Sequence, residues 1–281
     1  MERTMKLATR GSELAIAQFN IISDSLMAKS VKGEPVIVRS HGEIDLSTPL
    51  YRMEERGIFV KRLNELVLEG AVDGAVHSAK DIPTEIDDSL EISYYSKRGD
   101  PRDFFVSKYD LTQFEGTVGS SSMRRRTFLR LFNKKLQFRD IRGNINTRIE
   151  KWRGGEVDSL VVAKVALDRL GLSIPGNPIP TDICPPDPNQ GFVAVVSRKG
   201  SATSKILSSM QDPLARWEAE TEREIMKKLG LGCDVAVSVF ANYDLKKIYF
   251  SYANEDARFD LTFNETIETK DILKMRDIIG K

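Results

Sequence analysis

The sequence predicts an α/β protein with two α/β domains, one inserted into the other, and a small third domain of α+β type. Short apolar runs such as Val36–Val38, Gly74–Val76 and Leu160–Val162 alternate with stretches of helical period, and this alternation is typical of layered α/β folds. Two irregular stretches interrupt it, and three strand-like runs occur late in the chain. We therefore expect two layered domains followed by an antiparallel sheet.

The two interruptions define the inserted domain. Residues 97–103, KRGDPRD, form a charged turn, and residues 175–191 hold six of the eleven prolines, too many for a regular element. A chain crosses between domains twice when one domain is inserted into another. The sequence therefore predicts a first domain of residues 1–97 and 188–209 and a second of residues 98–187, with a cleft between them.

The third predicted domain begins at residue 210. Asp212 and Pro213 are typical of the N-cap and first residue of a helix, which we expect to run to about Leu229 and stop at Gly230. A last helix follows three strand-like runs, which are residues 235–242, 247–253 and 258–264. Residues 210–281 therefore predict a small α+β domain with a three-stranded antiparallel sheet.

The composition excludes several classes of partner. Lysine and arginine number 42 against 41 aspartates and glutamates, a net charge of +1, which argues against a general nucleic-acid or membrane-surface binder. The sequence shows neither a signal segment nor a long apolar run, so we expect a cytoplasmic protein with no membrane partner. Two cysteines and two histidines indicate neither a disulfide framework nor a metal site.

Small hydroxyl residues and arginines meet at a predicted helix start, where residues 119–126 read GSSSMRRR. Serines can cap a helix whose first N–H groups lack partners, and the arginines add positive charge to the same end. Successive helical residues point about 100° apart, so Arg124 and Arg125 are expected to flank one ligand while Arg126 faces solvent. A solvated helix start without a ligand explains the same residues.

Two further arginine clusters have the same character. RGNINTR at residues 142–148 places Arg142 before a helix start and Arg148 in its first turn. Arg10 follows a strand-like run and precedes Gly11, in the kind of strand-to-helix turn where open α/β sheets bind ligands. Because a guanidinium group suits carboxylate and phosphate oxygens, the clusters together predict a polyanionic ligand.

An acidic residue follows an apolar strand in GAVHSAKDIP, residues 74–83. The Asp81 carboxylate, kept ionised by Lys80, is suited to orient N–H donors and to stabilise a developing cation. A helix N-cap is the alternative role for Asp81, and His77 is interpreted as a packed, hydrogen-bonded residue. Cys233 lies in the glycine-rich turn GLGCDV, where a thiolate is open to alkylation; an inert lone cysteine is the alternative.

Nine motifs in collinear order resemble the porphobilinogen deaminase family, also called hydroxymethylbilane synthase. They are TRGSELAIAQ (9–18), RGIFVKRL (56–63), AVHSAKDIP (75–83), DPRDFFVS (100–107), VGSSSMRRR (118–126), IRGNINTR (141–148), ALDRLGL (166–172), NQG (189–191) and LGCDV (231–235). The motifs span nearly the whole chain, and the combination of HSAKD, SSxRR and RGNxxTR is highly specific. The chain is therefore identified as a member of this family by resemblance.

The resemblance implies a fold and a reaction. Two α/β domains of the type 2 periplasmic-binding-protein kind surround a cleft, and the small third domain carries the cofactor cysteine. The reaction, a transferase step of porphyrin (haem) biosynthesis, joins four porphobilinogen molecules head to tail into hydroxymethylbilane and releases ammonia each time. It proceeds on a dipyrromethane cofactor attached by a thioether, in a monomeric protein. The arginines then bind the acetate and propionate arms of the pyrroles.

The resemblance also assigns roles to residues. Cys233 is the cofactor anchor, and Asp81 is the catalytic carboxylate that contacts pyrrole N–H groups and stabilises the methylenepyrrolenine cation left when ammonia departs. The other residues implied in cofactor binding are Ser78, Lys80, Ser120, Ser122, Arg124, Arg125, Gly143 and Arg148, with Ser121 as a further polar contact. The residues implied in substrate binding are Arg10, Ser12, Gln18, Arg52, Arg56, Phe59, Arg142, Arg148 and Arg169.

The chain departs from the family pattern at six positions. Lysine is usual at Arg52 and Arg56, small residues at Asn189 and Phe192, glycine at Ala166 and proline at Ala236. These departures bear on hinge stiffness and rate, because Asp81, Cys233 and the six arginines Arg10, Arg124, Arg125, Arg142, Arg148 and Arg169 are all present. The alternative function is a non-catalytic, hinged two-domain anion-binding protein, which accounts for the arginines but gives Cys233 no role.

Overall fold

The computed structural model describes residues 3–38, 55–231 and 235–280, with the side chains of the second range described from residue 59 onward. The chain divides into two compact units, residues 1–99 with 191–216 (unit 1) and residues 100–190 with 217–281 (unit 2). Each unit contains a five-stranded mixed sheet, and unit 2 also contains a three-stranded antiparallel sheet, which confirms the predicted fold class. The predicted boundaries of three domains stay a prediction.

Unit 1 combines four strands that run in one direction with a single antiparallel strand. Its elements are β1 Arg3–Arg10, α1 Glu13–Met27, β2 Val31–Val38, α2 Glu55–Glu69, β3 Gly74–Ser78, β4 Leu90–Tyr95, β10 Val193–Arg198 and α6 Ala202–Ser209. The strand order is β2-β1-β3-β10-β4; β1 is parallel to β2 and β3, and β10 is antiparallel to β3 and β4. The core around Leu7, Ile22 and Val195 is fully buried. Residues 74–76 of β3 and 193–196 of β10 are continuous apolar runs because both faces of these strands are buried there.

Unit 2 repeats this arrangement of strands. Its elements up to residue 178 are β5 Asp103–Val106, β6 Gly116–Gly119, α3 Met123–Phe132, β7 Leu136–Arg139, α4 Ile145–Arg153, β8 Ser159–Ala163, α5 Lys164–Arg169 and β9 Gly176–Pro178. In the order β7-β6-β8-β5-β9, β6 is parallel to β7 and β8, while β5 is antiparallel to β8 and β9. The expectation that residues 175–191 hold no regular element is wrong at β9, an edge strand, where proline is tolerated.

The three-stranded sheet of unit 2 follows the prediction closely. Its elements are α7 Pro213–Leu229, β11 Val237–Asn242, β12 Lys247–Ala253, β13 Arg258–Asn264 and α8 Thr269–Ile279. The first four residues of α7 belong to unit 1, and the helix belongs to unit 2 from Trp217 onward. The start of α7 is capped as expected, because Asp212 Oδ1 accepts from the Leu214 backbone N–H at 2.9 Å. Gly230 ends the helix with φ of 64°, a conformation that favours glycine. Within the described ranges, no helix is both long and apolar enough to cross a bilayer.

Candidate functional site

The carboxyl end of β1 presents the first predicted ligand-binding residues of unit 1. β1 ends at Arg10, and Ser12 caps α1 by accepting the Ala15 backbone N–H at 3.3 Å. The Arg10 guanidinium carbon lies 4.1 Å from the centroid of the Phe59 ring, a cation–π contact that restrains the guanidinium group. Arg10 Nε is buried and has no hydrogen-bond acceptor among the described residues.

The carboxyl end of β3 presents the second group. Gln18 Nε2 donates to Ser78 Oγ at 2.7 Å, which links α1 to the end of β3. Lys80 and Asp81 follow in a single 3₁₀ turn, Ala79–Asp81, and both side chains are half-buried. Since parallel strands of an α/β sheet gather ligand-binding groups at their carboxyl ends, Asp81 occupies a position suited to a ligand.

His77 belongs to the interior of unit 1. Its side chain is 5% exposed, and its Nε2 lies 3.0 Å from Oδ1 of the buried Asn64. Burial lowers the pKa of His77 from 6.5 to about 3, because the charged imidazolium is poorly solvated there. His77 is therefore neutral near pH 7, in agreement with its interpretation as a packed, hydrogen-bonded residue.

In unit 2, the three serines build the predicted helix start. Ser122 caps α3 and its Oγ accepts from the Arg125 backbone N–H at 3.4 Å, while Ser120 Oγ accepts from the Ser122 N–H at 3.3 Å. The Ser121 hydroxyl donates to the Ile141 carbonyl at 3.0 Å and accepts the Ile141 N–H at 3.2 Å. These hydroxyls therefore hold the turn after β6 in one conformation.

Arg124 and Arg125 lie in the interior and share the Asp103 carboxylate, whereas the sequence predicts that they flank one ligand or lie at a solvated helix start. Their side chains are 3% and 8% exposed, and their Nη2 atoms bind the two oxygens of Asp103 at 2.8 and 2.7 Å. Burial opposes ionisation of Asp103, but the two guanidinium groups outweigh that effect and hold its pKa well below the usual range. Arg126, expected in solvent, donates to Asp140 at 2.6 Å and stays partly exposed.

The RGNINTR segment of unit 2 starts a helix as predicted. Asn144 caps α4 by accepting the Thr147 backbone N–H at 2.9 Å, and Arg148 Nε donates to the Gly143 carbonyl at 2.8 Å. Gly143 adopts φ of 107°, and Arg142 is exposed. Arg148 thus folds back over the helix start instead of extending away from it.

Arg169 and three other predicted residues complete the set. Arg169 ends α5, where burial lowers the pKa of its guanidinium to about 10 and the neighbouring Asp168 carboxylate opposes that effect. Arg52 and Cys233 lie outside the described residues, and of Arg56 only the backbone, within α2, is described. The remaining predicted residues divide between unit 1 and unit 2.

The sequence reasoning missed Asp103 and Gln190. Gln190 Nε2 donates to Asp103 Oδ1 at 2.9 Å and to the Pro101 carbonyl at 2.7 Å. A signal for Asp103 was present, because it directly precedes the apolar run Phe104–Val106. A carboxylate at the head of a buried strand requires a charged partner, and the sequence offers two adjacent arginines.

Comparison with known proteins gives a family match over most of the chain. A family model described as porphobilinogen deaminase, dipyromethane cofactor binding domain, matches residues 5–205. A probable porphobilinogen deaminase from Thermoplasma volcanium is 42% identical over 239 residues, 84% of this chain and 80% of that protein. One from Picrophilus torridus is 37% identical over 270 residues, 91% and 96% of the two chains. Among solved structures, lipoprotein Tp32 from Treponema pallidum aligns with 75% of this chain and 91% of that chain, at 12% identity and a TM-score of 0.45.

Proposed function

Because this chain belongs to the porphobilinogen deaminase family, we propose that it joins four porphobilinogen molecules head to tail into hydroxymethylbilane, as a transferase of porphyrin (haem) biosynthesis. Each step forms one carbon–carbon bond between pyrroles and breaks one carbon–nitrogen bond and one pyrrole carbon–hydrogen bond, so one ammonia leaves per porphobilinogen. Water finally cleaves the tetrapyrrole from the cofactor and supplies the hydroxyl group of the product. The polar groups of both units suit such a substrate, since each pyrrole carries two acidic arms.

Three arginines assigned to these arms keep a buried donor without an acceptor, and this observation carries the proposal. Five buried side-chain nitrogen or oxygen atoms of the described residues have no hydrogen-bond partner, and three of them are the Nε atoms of Arg10, Arg124 and Arg125. A buried hydrogen-bond donor without an acceptor lowers the free energy of unfolding by about 1–3 kcal/mol. Ligand carboxylates supply the missing acceptors, so the donor set fits dipyrromethane and porphobilinogen.

Dipyrromethane, the cofactor of the family domain that matches this chain, supplies when bound the pyrrole ring from which the product is extended. We propose that Cys233 holds it through a thioether. The other cysteine, Cys184, is fully buried, and burial raises the pKa of its thiol to about 12. Because alkylation requires a thiolate, the burial of Cys184 supports the chain's other cysteine, Cys233, as the anchor.

Asp81 is proposed as the catalytic carboxylate. Its place directly after β3, beside Lys80, lets its oxygens accept hydrogen bonds from substrate pyrrole N–H groups. The same oxygens offset the positive charge that develops as the amino group leaves. The acidic arms of the pyrroles are proposed to bind Arg142, Arg148 and Arg169 and the side chains of Ser12, Gln18, Ser78, Lys80, Ser120 and Ser122. A monomeric, cytoplasmic protein remains our expectation, and light scattering tests the first part.

The test is to incubate the purified protein with porphobilinogen and to follow ammonia release, uroporphyrin absorbance and intact mass. The wild-type protein should carry the mass of dipyrromethane, and Cys233→Ser should not. Asp81→Ala should keep its fold and cofactor but lose kcat by on the order of a hundredfold. Asp88→Ala, which removes an exposed carboxylate from the loop after β3, should keep kcat.

Two outcomes would contradict the proposal. Near-normal turnover by Asp81→Ala would remove the catalytic role of Asp81. A wild-type protein that binds porphobilinogen but releases no ammonia would support the non-catalytic anion-binding protein instead.

A further inference from the structure

The 3₁₀ turn Ala79–Asp81 begins where the pairing between β3 and β10 stops. The Ala79 backbone N–H donates to the Phe192 carbonyl at 3.1 Å, which continues the antiparallel ladder one residue beyond the strands. The Ala79 carbonyl leaves the ladder and accepts from the Ile82 N–H at 3.2 Å, which closes the turn. The turn therefore starts from the backbone of Phe192, the residue before β10.

The side chain of Phe192 lies in the interior of unit 1. Its ring meets the Tyr95 ring edge-on, with the two centroids 6.2 Å apart and an angle of 70° between the ring planes. The Arg98 guanidinium carbon lies 4.7 Å from the centroid of the Phe192 ring. Edge-to-face ring pairs and cation–π contacts both depend on direction, so these neighbours hold the ring in a defined position.

The Phe192 ring lies beside the first residue of the turn. The hydrogen bond between their backbones makes Phe192 and Ala79 opposite neighbours, and such neighbours on antiparallel strands have Cβ atoms about 4.5–5.5 Å apart. Both side chains are buried. Because a packed interior closes only partly around a lost side chain, removal of the ring would leave empty space next to Ala79.

We propose that Phe192 is a positioning residue for the reaction: its buried ring supports the Ala79–Asp81 turn and so fixes where the Asp81 carboxylate meets the substrate. The proposal rests on the proposed function, because that function assigns catalysis to Asp81. A catalytic group has to be held to within about 0.5 Å, since a misplacement of about 1 Å costs about a hundredfold in rate. The proposal also gives a role to the departure from the family pattern at position 192.

Three variants separate positioning from general stability. Phe192→Ala should lower kcat for ammonia release by at least about tenfold, while KM stays within about threefold of wild type and the cofactor mass is retained. Phe192→Leu refills most of the space and should keep kcat within about threefold. Leu207→Ala, which removes a fully buried side chain from α6 in unit 1, should lower the melting temperature about as much as Phe192→Ala but keep wild-type kcat.

Hydrogen exchange observes the turn directly. The Ile82 N–H closes the turn, so it should exchange at least about tenfold faster in Phe192→Ala than in Leu207→Ala. This measurement does not depend on turnover, and it reports the loss of support in the free protein.

A double variant tests whether Phe192 acts through Asp81. Once Asp81→Ala has removed the carboxylate, there is nothing left for the ring to position. Adding Phe192→Ala should therefore lower the residual kcat of Asp81→Ala by no more than about twofold. Losses that multiply would place the effect of the ring elsewhere and overturn the proposal.

Wild-type kcat in Phe192→Ala would also overturn the proposal, as would equal losses of kcat in Phe192→Ala and Leu207→Ala, or unchanged exchange of the Ile82 N–H. If Phe192→Ala does not fold, Phe192→Val takes its place with the same expectations. The wild-type sample reports on the proposed function separately. If it neither acquires cofactor nor releases ammonia, the proposed function itself has failed.

Discussion

Mild acid should destabilise unit 1 through His77. In the folded chain the pKa of His77 is about 3, against 6.5 for an unperturbed histidine. Below pH 6.5 the unfolded chain takes up a proton that the folded chain does not. The free energy of unfolding therefore decreases as the pH is lowered, until His77 also titrates in the folded chain near pH 3. The full difference between the two pKa values corresponds to about 5 kcal/mol of unfolding free energy, and about 2 kcal/mol of it is lost by about pH 5.

The comparison variant is His77→Gln, which cannot titrate but keeps an amide for the contact with Asn64. Both tryptophans, Trp152 and Trp217, lie in unit 2, so tryptophan fluorescence does not report on unit 1. Hydrogen exchange, measured by mass spectrometry on peptides from β3 and β10, does report on unit 1. Between about pH 7.5 and 5, the opening free energy should fall by about 2 kcal/mol more in wild type than in the variant.

Parallel pH dependence in the two proteins would refute the reasoning, because it would mean that His77 charges as readily folded as unfolded. The chain has only two histidines, so NMR titration of the imidazole signals gives an independent check. The signal that disappears in His77→Gln should not titrate between about pH 5 and 8.

Two further predictions concern unit 2. Gly143→Ala should destabilise the protein by more than about 1 kcal/mol, since a Cβ at φ of 107° would meet Thr147 Cγ2 at 2.7 Å. Gly155→Ala, at φ of 76° with no atom within 4 Å, should cost less in the same thermal unfolding assay; equal costs would rule out the Thr147 clash. In the cofactor-loaded protein, Cys184 should resist iodoacetamide until unfolding, because it is buried and the pKa of its thiol is about 12. Mass spectrometry of the unfolded sample should then show one label, and a second would contradict attachment at Cys233.

Local signals explain how much of the fold could be predicted. A helix start needs only a capping side chain and its neighbours, and for that reason Asp212 and Ser122 cap the helices expected of them. The three strands of the small sheet follow the alternation of apolar residues within each run. β9 escaped prediction because its three residues gain strand geometry from pairing with β5, which no local pattern encodes.

Long-range partners explain what could not be predicted in the site. The sequence shows that Arg124 and Arg125 are adjacent, but Asp103 lies 21 residues before Arg124 and Cys184 lies 60 residues after it. A chain with 41 acidic residues offers many possible partners. Only the pairing of β5 with β8 decides which carboxylate reaches the helix start, so the burial of these arginines is a property of the fold.

The two sheets show why positive charge reaches the carboxyl edge of the parallel strands by different routes. In unit 1 the last residue of β1 is Arg10, whose own side chain supplies the guanidinium group. The last residue of β6 is Gly119, where a Cβ would lie 2.7 Å from Leu160 Cδ2, so a long side chain does not fit there. The charge in unit 2 comes instead from the first turn of α3, because helical side chains lean toward the N-terminus of their helix. Arginines that approach from that direction enter the interior, where a buried carboxylate such as Asp103 is needed to balance them.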